Sequence, residues 1–148
     1  MHLAQLNIAD MKAPIDSPLL ADFVAEIEQV NRLAEASEGF VWRLVDDAGE
    51  GATALRFEEM PNLLINMSVW ESVEALEAFV YRNTEHLAVM RERKKWFNKM
   101  EKAHTVLWWI EEGHVPTLVE ARKRLDDLWR NGATARAFSF DMRFGSED

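Results

Sequence analysis

At 148 residues and 48% apolar content, the chain is long enough to bury a core as one domain, 1–148, and too apolar to stay disordered. It has no cysteine, which excludes disulfides, thiol nucleophiles, iron–sulfur clusters and cysteine-based zinc sites. Seventeen basic against 26 acidic side chains leave a net charge of −9, a surface that repels phosphate backbones, so no nucleic-acid partner is expected.

No apolar run approaches the roughly 20 residues of a membrane span. Met1-His-Leu-Ala-Gln5 lacks the charged-then-apolar layout of a signal peptide. The expectation is a cytoplasmic protein without a membrane partner.

His2 to Ile8 alternates as a strand, with Ala4, Leu6 and Ile8 on one face and Leu3, Gln5 and Asn7 on the other. Ser17-Pro18 reads as an N-cap followed by proline at the first helical position. Leu20, Phe23, Val24, Ile27, Val30 and Ala34 then follow at helical spacing, to about Ala36. Phe40 to Val45 is a second strand. The turn-rich stretch Asp46 to Gly51 lets Thr53 to Phe57 return as its hairpin partner.

Leu63 to Trp70 is the next strand, with Asn66, Ser68 and Trp70 on one face and Ile65, Met67 and Val69 on the other. Ser72 caps a helix with Leu76, Phe79 and Val80 in its stripe. Asn83-Thr84 is a candidate break, after which the helical pattern resumes to about Lys102. Thr105 to Ile110 is an apolar strand whose Trp108 and Trp109 point to opposite faces. Thr117-Leu-Val-Glu120 is a capping box opening a helix to about Asn131, with Gly132 at its C′ position. In the tail, Phe138, Phe140, Met142 and Phe144 alternate, as an added edge strand or a segment that wraps a partner.

Without the hairpin insertion and the extra C-terminal helix and tail, the order is β-α-β-β-α-β, the ferredoxin-like α+β arrangement of an antiparallel sheet. Helices then cover one face of the sheet. The expected cover for the other face is a second copy of the chain, giving a homodimer with a barrel between the two sheets, a dimeric α+β barrel.

Trp70-Glu-Ser72-Val-Glu-Ala75-Leu76-Glu-Ala-Phe79 resembles the strand-to-helix signature of the antibiotic-biosynthesis-monooxygenase-like dimeric α+β barrels. With Phe79 to Arg82, Arg91 to Phe97, Val106 to Trp109 and Gly113 to Thr117, the chain is similar to an uncharacterised bacterial domain-of-unknown-function family of that superfamily. The resemblance implies two chemistries. Cofactor-free quinone-forming monooxygenases of this fold pair an Asn with a Trp four residues later, a spacing that Asn66 and Trp70 match; Leu76 stands where their Tyr would be. Haem-degrading members use an Asn on the first strand, matched by Asn7, a Trp on the helix, where this chain has Phe79, and a His about one turn beyond His86.

If the helical pattern is continuous, Phe79, His86, Met90, Phe97 and Met100 form one stripe. An imidazole there can bind haem iron or move a proton near neutral pH; the alternative is a core histidine bonded to a carbonyl. Asn66 can stabilise a substrate oxyanion while Trp70 supplies a flat wall, or both can simply pack.

The catalytic candidates are therefore Asn66, Trp70 and His86, and the ligand-binding candidates Asn7, Phe79, Met90, Arg91 and Trp109. Arg91, Arg93, Lys94 and Lys95 form a basic island that can hold a carboxylate such as a haem propionate, or can be a solvated helix face. No metal-ligand spacing, phosphate-binding glycine loop or nucleophile elbow is present. The leading expectation is a small hydrophobic or aromatic ligand handled without a cofactor. Haem is the alternative, and a non-enzymatic binding or interaction module is the third reading.

Overall fold

The central strand, β1 (His2–Met11), owes its position to being apolar on both faces between its end residues His2 and Asp10, except at Gln5 and Asn7. The computed structural model describes residues 1–45 and 55–148. On one side β1 pairs antiparallel with β3 (Leu63–Trp70). On the other it pairs antiparallel with β5 (Thr105–Ile110) and, at Asp10 and Met11, with the short β4 (Phe97–Asn98). The strand β2 (Phe40–Arg43) adds outside β3. The helices are α1 (Ala21–Glu35), α2 (Val73–Arg82), α3 (Thr84–Arg91), α4 (Arg93–Trp96) and α5 (Leu118–Asn131). Taking β5 as the fourth main strand gives the expected ferredoxin-like order, with α5 as the extra C-terminal helix.

Side-chain alternation sends Leu3, Gln5, Asn7 and Ala9 to the face under α1 and α2. There Leu3, Trp70 and Leu107 pack against Val30, Ala34, Val73, Leu76 and Phe79. Further along the same face, Ala9 and Leu64 meet Phe23, Trp96 and Phe97.

The opposite face corrects an expectation. Ala4, Leu6, Ile8, Ile65, Met67, Val69, Val106, Trp108 and Ile110 are each 5% exposed or less within a single chain. They pack with Ala121, Leu125 and Leu128 of α5 and with Phe57. The spacing of those three α5 residues makes a narrow apolar stripe that lies on the sheet. The face assigned to a second copy is therefore covered from within, and the argument for a barrel-forming dimer loses its uncovered surface.

Caps explain where helices begin. Ser72 Oγ accepts from the Ala75 amide at 3.1 Å, and Thr117 Oγ1 accepts from the Glu120 amide at 3.1 Å. The second half of the capping box does not form: the Glu120 carboxylate instead accepts from Trp108 Nε1 at 2.8 Å and meets His114 Nε2 at 2.6 Å. Ser17 also departs from expectation. Pro18–Leu20 make a single 3₁₀ turn closed by the Leu20 amide on the Ser17 carbonyl, and the Ser17 side chain makes no cap bond. Gly132 ends α5 at φ +72°, as its C′ assignment predicts.

The candidate break at Asn83-Thr84 is present, and the helical pattern that resumes after it ends at Trp96, short of Lys102. Asn83 takes an extended ψ of 115°, and its Oδ1 accepts from the His86 amide at 3.0 Å, starting α3 afresh. Phe97 is extended again and pairs with Met11. Phe79, His86, Met90, Phe97 and Met100 therefore do not share one helix face. Of the expected hairpin, residues 46–54 lie outside the described residues, and Phe57 bridges only Met60 across a turn.

The tail adds one bridge at the β5 edge, with Leu107 and Phe138 exchanging amide bonds at 2.8 and 2.9 Å. It then returns over its own chain: Trp109 Nε1 donates to the Phe144 carbonyl at 2.9 Å, and Arg143 pairs with Glu77. No helix among the described residues is long and apolar enough to cross a membrane.

Candidate functional site

The polar residues of the α1–α2 face stand side by side because of register. Asn7 on β1 is directly opposite Asn66 on β3 and Thr105 on β5, and Gln5 is opposite Ser68. This puts a row of three polar side chains across three adjacent strands, on a face that is otherwise apolar. The row spans on the order of 10 Å, two inter-strand spacings.

Above the row, between the sheet and α1, α2, α3 and α4, lies a cavity of about 420 Å³. That volume is in the range of small-molecule sites, roughly 300–1,000 Å³. Asn7, Asn66, Trp70, Phe79, His86 and Met90 all line it. Arg91 and Trp109 do not: Arg91 is exposed on α3, and Trp109 packs against Phe138 and the tail.

Hydrogen bonds orient the row. Gln5 Nε2 donates to Ser68 Oγ at 2.8 Å and to Asn66 Oδ1 at 3.2 Å. With its oxygen thus engaged, Asn66 keeps its Nδ2–H₂ without a partner among the described residues, at a side chain lining the cavity. Trp70 Nε1 donates to the same Ser68 Oγ at 2.8 Å, so the indole leans back along β3. Gln5 and Ser68, 7% and 6% exposed, are the buried polar residues that hold this arrangement. Buried polar groups need such partners, and here they have them.

Trp70 does not play the part expected of it. It is 1% exposed, with Phe79 stacked on it at 5.5 Å and 27° and Phe40 edge-on at 5.5 Å. Its faces are occupied, so it backs the cavity and positions Ser68 in place of offering an open stacking surface.

His86 reaches the site by the chain break, not by helix continuity. Its ring sits 4.9 Å from the Phe79 ring, and its Nδ1 lies 3.0 Å from the Val80 carbonyl. Because a carbonyl only accepts, Nδ1 carries the hydrogen and Nε2 keeps its lone pair. Burial, which favours the neutral ring, pulls the His86 pKa below the usual histidine value, and the Val80 hydrogen bond opposes this only in part.

One lining histidine, His104, was not among the candidates, whereas Arg93 belongs to the basic island expected to hold a carboxylate or to be a solvated helix face. His104 precedes β5, and its Nδ1 lies 3.2 Å from Thr105 Oγ1, which receives the Asn7 amide at 2.9 Å. Burial, and then the nearby Arg93 guanidinium, lower its pKa. Arg93, at the start of α4, also lines the cavity. His104 looked isolated at a strand start, and only pairing with β1 places it beside Asn7. Gln5 and Ser68, by contrast, were readable from strand alternation. Among the described residues no group of three or more His, Asp or Glu side chains is arranged to hold a metal ion.

Comparison with known proteins supports the fold. A family model described as domain of unknown function (DUF3291) matches residues 2–148. Solved structures of low sequence identity superpose on most of the chain. A conserved protein from Methanosarcina mazei Go1 is 11% identical, with a TM-score of 0.56 over 75% of this chain and 94% of its own. SnoaB, a cofactor-independent oxygenase from Streptomyces nogalater, is 15% identical, with a TM-score of 0.51 over 75% and 94%. A Chloroflexus aurantiacus protein assigned by name to antibiotic biosynthesis monooxygenases is 11% identical, with a TM-score of 0.52 over 78% and 98%. At these identities the likeness is one of fold. No curated protein matches the chain.

Proposed function

The chain belongs to the DUF3291 family, and we propose that it binds a small aromatic substrate in the cavity and oxygenates it without a cofactor. One observation carries this: Asn66, whose amide N–H₂ has no partner among the described residues, and His86, whose Nδ1 is held by the Val80 carbonyl, line the same cavity. The fold it shares with SnoaB supports the same direction.

The chemistry suits a phenol-type substrate with an acidic ring methylene. His86 Nε2 removes the proton, and the Asn66 N–H₂ donates to the oxygen on which the negative charge collects. The carbanion gives its electrons to molecular oxygen, and the proton held by His86 completes a carbon hydroperoxide. His86 Nε2 then takes the second methylene proton as the O–O bond breaks. The inner oxygen stays as the new carbonyl, and the outer one leaves as hydroxide and becomes water with the proton that His86 returns. The substrate methylene thus supplies all four electrons for oxygen reduction, so no external reductant enters. The protein positions the substrate, holds the anion and excludes bulk water.

Oxygen uptake with a panel of anthrones and hydroquinones tests this. Uptake that falls at least tenfold in His86→Ala and in Asn66→Ala supports it. Uptake equal to that of both variants overturns it, and binding without turnover assigns the chain to a non-enzymatic carrier.

Haem is a second reading, favoured by His86, whose Nε2 has no partner among the described residues, and by Asn7, both of which line the cavity. Of the basic island, Arg93 alone among Arg91, Arg93, Lys94 and Lys95 lines the cavity, which leaves a single candidate for the propionates. A Soret shift on haem titration that is unchanged in His86→Ala removes His86 as the ligand. Neither reading requires a second copy: a homodimer would have to use a surface other than the α5-covered face, and light scattering across a dilution series reports whether one forms.

A further inference from the structure

We propose that the cavity takes an anionic ligand, a planar aromatic acid whose carboxylate is received by Arg93 and His104 at the β5 side of the polar row. This rests on the cavity reading above and names its substrate class.

The first observation is an unpaired charge. Arg93 is half-buried and makes no ion pair or hydrogen bond among the described residues. Other half-buried arginines have partners: Arg43 pairs with Glu35 at 2.7 Å, Arg122 with Glu59 at 3.3 Å, and Arg124 donates to the Arg136 carbonyl at 2.8 Å. A guanidinium partly withdrawn from water without a counter-ion is unfavourable, and an incoming carboxylate offsets that cost with a charge-assisted, two-pronged pair. One carboxylate does line the cavity, Asp141, but it is exposed on the tail and is not paired with Arg93.

The second observation is the neighbour of that charge. His104 lines the same cavity, and burial and then the nearby Arg93 guanidinium lower its pKa. Its Nδ1 lies 3.2 Å from Thr105 Oγ1, which receives the Asn7 amide at 2.9 Å. An incoming carboxylate counters the Arg93 charge and favours the imidazolium, in which both ring nitrogens donate.

Calorimetric titration with 3-hydroxy-2-naphthoate and 2-naphthol, which differ by the carboxylate, tests the proposal. The naphthoate is expected to bind at least tenfold more tightly. Arg93→Gln should abolish that preference and leave naphthol binding within twofold, Arg93→Lys should restore part of it, and Arg91→Gln, outside the cavity, should change nothing. Equal binding of the two probes, or a preference that survives Arg93→Gln, overturns the anion assignment and leaves the cavity reading standing. Failure of both probes to bind overturns the cavity reading and the assignment with it.

Discussion

Gln5 is the residue on which the orientation of the site turns, and Gln5→Leu is its sharpest test. The substitution keeps approximate size at a position 7% exposed and removes both donations, to Ser68 Oγ at 2.8 Å and to Asn66 Oδ1 at 3.2 Å. Each neutral hydrogen bond contributes about 0.5–1.5 kcal/mol net. Ser68 Oγ keeps its Trp70 donor, whereas Asn66 Oδ1 loses the partner it has. The expected loss is therefore about 2 kcal/mol, a drop in Tm of about 4–8 °C for a chain of this size. The functional effect should be larger. Released from Gln5, the Asn66 amide can turn its oxygen to the cavity, replacing a donor with an acceptor where substrate charge collects. Loss of one such donor costs about 2.7–4 kcal/mol, or roughly 100- to 1,000-fold in kcat. Thermal melts and steady-state oxygen uptake measured beside Asn66→Ala decide the matter. If Gln5→Leu melts several degrees lower yet keeps kcat within threefold while Asn66→Ala loses a hundredfold, Gln5 does not orient Asn66; if Asn66→Ala also keeps kcat within threefold, the donor assignment fails.

Three other outcomes follow from the same geometry. Gly39 has φ +83°, and a Cβ there would lie 2.4 Å from the Ala75 Cβ at the start of α2; Gly39→Ala should cost about 2–4 kcal/mol in urea unfolding from backbone strain plus overpacking. Leu125 is fully buried between α5 and the sheet, so Leu125→Ala should cost about 3–5 kcal/mol, and Leu125→Asp should expose the covered face and produce concentration-dependent association in sedimentation. His86 and His104 both have folded pKa values below the ordinary 6.5, so the unfolded chain binds protons first as pH falls. Their contribution to stability is full above about pH 6.5 and is lost on acidification below it, with a slope that His86→Phe should reduce; a Tm profile flat from pH 7 to 5 would contradict this.

Much of this molecule follows from local pattern. Period-two alternation over His2–Ile8 and Leu63–Trp70 set Gln5, Asn7, Asn66 and Ser68 on defined strand faces, and the Ser72 cap placed the turn into α2, because pleat and cap geometry depend on neighbours in sequence. Asn66 and His86 could be chosen for the same reason: polar types on apolar stripes are visible without a structure.

What remained hidden depends on contacts between distant segments. The break at Asn83 was readable, but the strand at Phe97 is decided by pairing with Met11, so a run of helix-forming residues overstated how far the helix resumes. Trp70 has the right spacing for a ligand wall but loses its faces to Phe40 and Phe79. His104 becomes a cavity residue only when β5 docks on β1, and Arg93 only when β4 pairs with β1 and seats α4. The apolar stripe of α5 was readable, but its destination was not: amphipathicity states that a face must be buried, and only the folded chain determines against what. Here it closes the sheet from within, leaving the opposite face, under α1 and α2, to hold the cavity.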